Sequence, residues 1–291
     1  MLYLYIKNLP DILKKKNTLW LWLWLLALLA GCASSIRYAN RFVIEETNLH
    51  ILVLPPASLL KTYSPEHPDS LSPHELRETD MGEAKFLDQI NDSLFIDRFI
   101  QSLKVHLELL YINYYGPEDA EAFFALEDPA YVFTLAQMEL IEYRDEEIFI
   151  GRSGFDRYIG KAEITVVENN QWFEFYKVHD PDFDMQVLFS ANATGDYVEG
   201  RFVRMSDGRV RFDPTRYPLS LEDLYDLAYN SGQLSAQKIF DHLMNLYVRE
   251  HMGRQVDGYY RYDMERHQIL KTGDPPFIPI EKAEPADGDQ D

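Results

Sequence analysis

The chain has 291 residues, of which 48 are acidic and 28 basic, for a formal charge of −20 at pH 7. That balance excludes attraction to nucleic acid or other phosphate-rich surfaces through net charge, and it points any charged partner toward basic or metal-bridged chemistry. A single cysteine, Cys32, excludes an intramolecular disulfide, and with 46% hydrophobic and 14% aromatic residues the chain can bury a core.

Lys14, Lys15 and Lys16 precede twelve consecutive apolar residues, Leu19 to Ala30. Twelve helical residues reach about 18 Å, well short of a hydrocarbon core roughly 30 Å thick, so the pattern is that of a signal peptide rather than a permanent span. The run closes on Leu29-Ala30-Gly31-Cys32, which resembles the lipobox of bacterial lipoproteins. The resemblance implies that residues 1–31 are cleaved and that Cys32 carries a diacylglycerol on its sulfur. It further implies sorting by the next residues: Ala33-Ser34-Ser35, with no Asp after the cysteine, fits a lipid-anchored protein of the outer membrane that faces the periplasm. Cleavage removes four lysines and Asp11, so 28 basic and 48 acidic residues become 24 and 47, and the charge becomes −23.

Residues 32–48 read as the lipidated N-terminus and a tether, followed by one α+β domain over 49–272. Leu49 to Leu54 is a continuous apolar run, as in a strand covered on both faces, and Pro55-Pro56 ends it. A long polar loop is expected over 61–90. Asp92 is positioned to cap a helix to about Leu110, with Ile96, Phe99, Ile100, Leu103, Leu107 and Leu110 on one stripe. Tyr111 to Tyr115 reads as a short strand, Gly116-Pro117 opens a brief helix through Leu126, and Tyr131 to Tyr143 is a long strand. Lys161–Val167 and Trp172–Val178 read as a hairpin turning at Glu168-Asn169-Asn170-Gln171, and Met185–Ala191 as a further strand. Tyr197–Met205 pairs with Arg209–Phe212 across Asp207-Gly208. Ser220 with Asp223 is close to a capping box for a last helix running to Val248, either continuous, with Ala228, Gly232 and Ala236 approaching a sheet, or broken at Asn230-Ser231-Gly232. Tyr259–Leu270 reads as an edge strand, and residues 273–291 as a disordered acidic tail. The fold class is α+β: a mixed, mostly antiparallel sheet against two main helices, about 92–110 and 220–250.

This order resembles the compact α/β module of outer-membrane lipoproteins of the curli-secretion and penicillin-binding-protein-activator kinds. The residues that carry it are Ile51-Leu52-Val53-Leu54-Pro55, the helix from Asp92 to Leu110, the Tyr131–Tyr143 strand and the Gly232–Val248 helix. The resemblance implies an architecture rather than an activity.

No constellation compels a chemistry. His74-Glu75-Leu76-Arg77-Glu78 puts glutamate where a zinc helix needs its second histidine, and His106, His179 and His242 lack ligand spacing. Gly151-Arg152-Ser153-Gly154 sits between strands rather than on a nucleophile elbow. Asp180, Asp182 and Asp184 alternate like the start of a calcium loop but lack its glycine and terminal glutamate. Against the acidic background, Arg201, Arg204, Arg209, Arg211 and Arg216 are interleaved with Phe202, Phe212 and Tyr217. They are candidates to hold a partner's carboxylate or phosphate, or else they pair with Asp196, Glu199, Asp207 and Asp213. The expectation is a non-catalytic accessory or assembly lipoprotein with no cofactor and no metal, binding the membrane through Cys32, another envelope protein, and no nucleic acid. The alternative is an envelope hydrolase acting on glycan or lipid.

Overall fold

The structure, a computed structural model, describes residues 35–45, 48–65, 67, 84–127, 129–153, 156–252 and 256–280. Residues 1–34, which hold the expected signal peptide and Cys32, the His74-Glu75 pair, most of the expected loop and residues 281–291 lie outside them. The contacts gather into two units, Met1–Thr47 with Asp241–Pro276, and Asn48–Phe240 with Phe277–Asp291.

The larger unit is α+β. Its sheet runs β3 (Ile112–Tyr115), β1 (Leu49–Leu54), β4 (Ala130–Ser153), β5 (Asp156–Lys177), β6 (Gln186–Gly195) and β11 (Ile278–Pro279), with β2 (Leu59–Ser64) also on β4. Strands β1, β2 and β3 pair in parallel; β4, β5, β6 and β11 pair antiparallel. Strands β1 and β2 follow one another along a single edge of β4, opposite Ala130–Thr134 and then Met138–Tyr143. Pro55-Pro56 lacks the donors a ladder needs, and β4 bulges between Leu135 and Gln137 at the same level, so the edge strand breaks and resumes.

Helix α2 (Asp92–Leu109) is capped by Asn91, whose side chain accepts the Leu94 N–H at 3.0 Å, rather than by Asp92. The short α3 (Ala120–Phe124) covers Leu52, Ala130 and Val132 with Phe123. The opposite face of the sheet meets α4 (Leu221–Met252): Ser235 donates to Gln171 at 2.9 Å and Lys238 to Ser190 at 2.6 Å. Helix α4 is unbroken, and Ser220 and Asp223 form the reciprocal cap at its start. Gly232 approaches α2 rather than a sheet; a Cβ there would stand 2.3 Å from the Phe99 carbonyl oxygen.

Three expectations are corrected here. Lys161–Val167 and Trp172–Val178 belong to one strand, β5, whose hairpin partner is β4, and Asn169, Asn170 and Gln171 lie buried in its middle. Lys61–Ser64, expected as loop, are the last four of the six residues of β2. Phe277 is buried and Ile278–Pro279 pair with β6, so the supposed tail begins no earlier than residue 281.

In the smaller unit, residues 35–45 form α1 where a tether was expected. Ala39 and Phe42 are its buried positions, and Phe42 and Tyr38 pack on Tyr247 and His251 of α4. The hairpin β9 (Tyr259–Asp263) with β10 (Gln268–Thr272) is held to α4 by side chains. Asn245 accepts the Tyr260 N–H at 2.8 Å and donates to its carbonyl at 2.7 Å, while Asp241 accepts the Tyr262 N–H at 2.8 Å.

Candidate interaction site

Strand β2 ends opposite Tyr143 and β6 ends opposite Val166. Beyond those residues, 144–153 of β4 and 156–165 of β5 pair with each other and with no other strand among the described residues. Ten residues per strand make an arm about 33 Å long. At its base, buried Asp196 accepts the Thr165 N–H at 3.0 Å and the Leu219 N–H at 2.7 Å, which ties β5 to the segment entering α4.

Cross-strand pairs share a face, so the register sorts the arm's side chains into two sets. One set, Phe149, Gly151, Tyr158 and Gly160, lies under the hairpin of β7 (Tyr197–Arg204) and β8 (Val210–Tyr217). Phe149 meets Phe212 at 4.8 Å between centroids, and Tyr158 meets Phe202 at 6.1 Å. The rings lie where glycine leaves room: a Cβ on Gly151 would be 2.4 Å from Phe202, and one on Gly160 2.3 Å from Phe212.

The other set faces solvent. Ile148, Ile150 and Ile159 are 57%, 54% and 60% exposed, and Ile150 stands directly opposite Ile159. Glu146 pairs with Lys161 at 2.6 Å and Glu163 with Arg144 at 3.6 Å. Arg152 and Arg157 stand opposite one another at the outer end, both exposed and in no ion pair among the described residues. Like charges directly opposed are unfavourable, and an acidic group seated between them would relieve the repulsion. The arm therefore offers three isoleucines beside two positive charges, in a chain whose formal charge is −20.

The arginines singled out from sequence form no single patch. Arg201 and Arg211 share Asp213, at 3.2 and 3.8 Å, and Arg209 pairs with Asp207 in the turn at 2.5 Å, holding that carboxyl below its ordinary range. Arg204 falls on the register positions that alternate with Arg201, and Arg216 donates to the Glu163 carbonyl of the arm. On the same hairpin, exposed Tyr197 and Tyr217 stack at 5.7 Å, and Glu199 raises the Tyr197 hydroxyl above its usual value.

Asp180 pairs with Lys177 at 3.3 Å in the turn after β5, and among the described residues no three His, Cys, Asp or Glu side chains gather as a metal site. His106 bonds its own helix through the Ser102 carbonyl at 2.7 Å, His179 has a φ of 61° in the turn, and His242 is half-buried. A groove of about 540 Å³ lies between β6 and α4, lined by Asn192, Thr194, Asp223, Asp226, Asn230 and Gln233. Its Asp223 is already engaged in capping Ser220.

Sequence reasoning missed the arm, although its signal is present: Glu146, Ile148, Ile150 and Arg152 alternate with Phe149 and Gly151, as a two-faced strand requires. No described helix is long and apolar enough to cross a membrane. The molecule is an α+β protein with an extended two-stranded arm. No family model matches the chain, and no curated protein matches it.

Proposed function

We propose that this chain is a lipoprotein of the outer membrane, anchored through Cys32, that acts as a non-catalytic accessory factor by presenting the arm to another envelope component. The observation that carries the reading is the solvent face of the arm. Exposed isoleucines on a strand pair whose opposite face is filled by Phe202 and Phe212 serve no packing within the unit, and apolar surface left uncovered marks an interaction site. The fitting partner has an apolar pocket with an acidic rim, matching Ile148, Ile150 and Ile159 beside Arg152 and Arg157. Anchorage confines the arm to a surface and raises its effective concentration toward partners there. Arg201, Arg204, Arg209 and Arg211 contribute less, because Asp213 and Asp207 pair with three of them and cancel two of their charges.

A photo-cross-linking residue at position 150, in cells, tests this. The expected result is one discrete adduct with an envelope protein, lost when Ile148 and Ile159 are changed to Asp. Adducts at position 150 no more discrete than those from a control at position 217 would remove the arm as the binding face.

A further inference from the structure

We infer that the free face of α1 lies in the headgroup layer of the membrane that carries the anchor, so that the smaller unit sits flush on the bilayer instead of hanging from a leash. The inference rests on lipidation of Cys32 and adds to it a second contact with lipid.

Three observations carry it. The first is the short covalent reach. Cys32 and Ser35 are three residues apart, and three residues of extended chain span at most about 11 Å. Ser35 is not at the end of a slack segment: its hydroxyl bonds the Tyr260 hydroxyl at 2.7 Å, and Tyr260 is buried with both backbone polar groups held by Asn245. Acyl chains on Cys32 would therefore place the first turn of α1 within the polar layer of the bilayer.

The second is which face α1 leaves free. Ala39 and Phe42 are buried, so the exposed side carries Ile36, Arg37, Asn40, Arg41 and Ile44, at spacings that put them on one side of the helix. Ile44 is 73% exposed and Ile36 39%. The third is charge. Glu45 at the margin of this face is already paired with Arg41 at 2.5 Å, which leaves Arg37 as net positive charge in a chain with 48 acidic and 28 basic residues. Two isoleucines with two arginines along one margin of the same helical face match the pattern of helices that lie in the interface plane, where the aliphatic side chains enter the acyl boundary and the guanidinium groups stay among phosphates.

The test uses the lipidated full-length protein in vesicles of phosphatidylethanolamine and phosphatidylglycerol. An environment-sensitive fluorophore is placed on Ile44→Cys, on Asn40→Cys and, as control, on Tyr217→Cys; Cys32 is blocked by its lipid. These positions are exposed, so the substitutions leave the fold intact. The expected result is co-flotation with the vesicles, with blue-shifted emission at 44 and 40 and several-fold stronger quenching by shallow spin-labelled lipids than at 217. Flotation with 44 and 40 as solvent-exposed as 217 would overturn the seat and leave the anchor standing. Protein that fails to float would overturn the anchor, and the seat with it.

Discussion

Buried polar side chains do specific structural work in this molecule. Glu142 is 2% exposed and accepts the backbone N–H groups of Lys85, Phe86 and Leu87 at 2.7, 2.9 and 3.2 Å, so one carboxylate on β4 ends the long segment after β2 where the chain turns toward α2. Lys61 closes the same segment from the other end, on the Ile90 carbonyl at 2.8 Å and on Asp92 at 2.7 Å. His242 works in the opposite sense. Burial, with Arg249 nearby, pushes its pKa down to about 3. The unfolded chain takes up that proton near pH 6.5 and the folded one refuses it until about pH 3, so the stability it contributes is complete above 6.5 and is lost as pH falls. The loss runs at about 1.4 kcal/mol per pH unit in that window. Between about pH 7.5 and about pH 5 the histidine should account for roughly 2 kcal/mol of lost stability. Urea unfolding of the parent and of His242→Gln at both pH values checks this: the drop should be smaller in the variant. Equal drops would mean the imidazole is solvated.

At the scale of elements, the crossing of α2 and α4 depends on a missing side chain. Alanine in place of Gly232 would gain about 1 kcal/mol of helix propensity. It would also force a methyl to 2.3 Å from the Phe99 carbonyl oxygen and 2.9 Å from the Ser102 Cβ, both on a packed helix that cannot yield cheaply. Overpacking of this kind costs about 1–3 kcal/mol, so Gly232→Ala should lower stability despite the better helix former, as a thermal melt would show. The small residue at 232 is visible in the sequence; the partner it meets is not, because Phe99 is far away along the chain. The same separation explains the other misreading. Glu168-Asn169-Asn170-Gln171 has the composition of a turn, and nothing local shows that Ser235, 64 residues away, hydrogen-bonds Gln171 inside a sheet. Signals contained within a few residues did appear in the fold: the Asp207-Gly208 hairpin, the Ser220–Asp223 cap and the double-sided strand Leu49–Leu54. The arm was partly legible as alternation. Its exposure was not, since that depends on where β2 and β6 stop.

For the whole molecule, charge decides how the arm can be used. A chain of −20, or −23 once residues 1–31 are removed, repels an acidic partner over the Debye length, while Arg152 and Arg157 attract it at contact. The Debye length is about 30 Å at 0.01 M salt, about 8 Å at 0.15 M and about 3 Å at 1 M. At the lowest salt the screening length of about 30 Å is close to the arm's length of about 33 Å, so the field of the whole chain is still felt near the tip and repulsion should prevail; near 0.15 M it is screened before the tip while the arginines still act; at 1 M both are lost. The yield of the cross-link from position 150 in isolated envelopes should therefore peak at intermediate salt. Changing Arg152 and Arg157 to Gln removes only the attraction, so the double variant should show lower yield at intermediate salt and a steady rise toward high salt, where its isoleucines bind alone. A parent yield that is flat with salt, or that falls throughout from the lowest concentration, would mean that the partner carries no acidic rim, and that the apolar face of the arm acts without help from its two arginines.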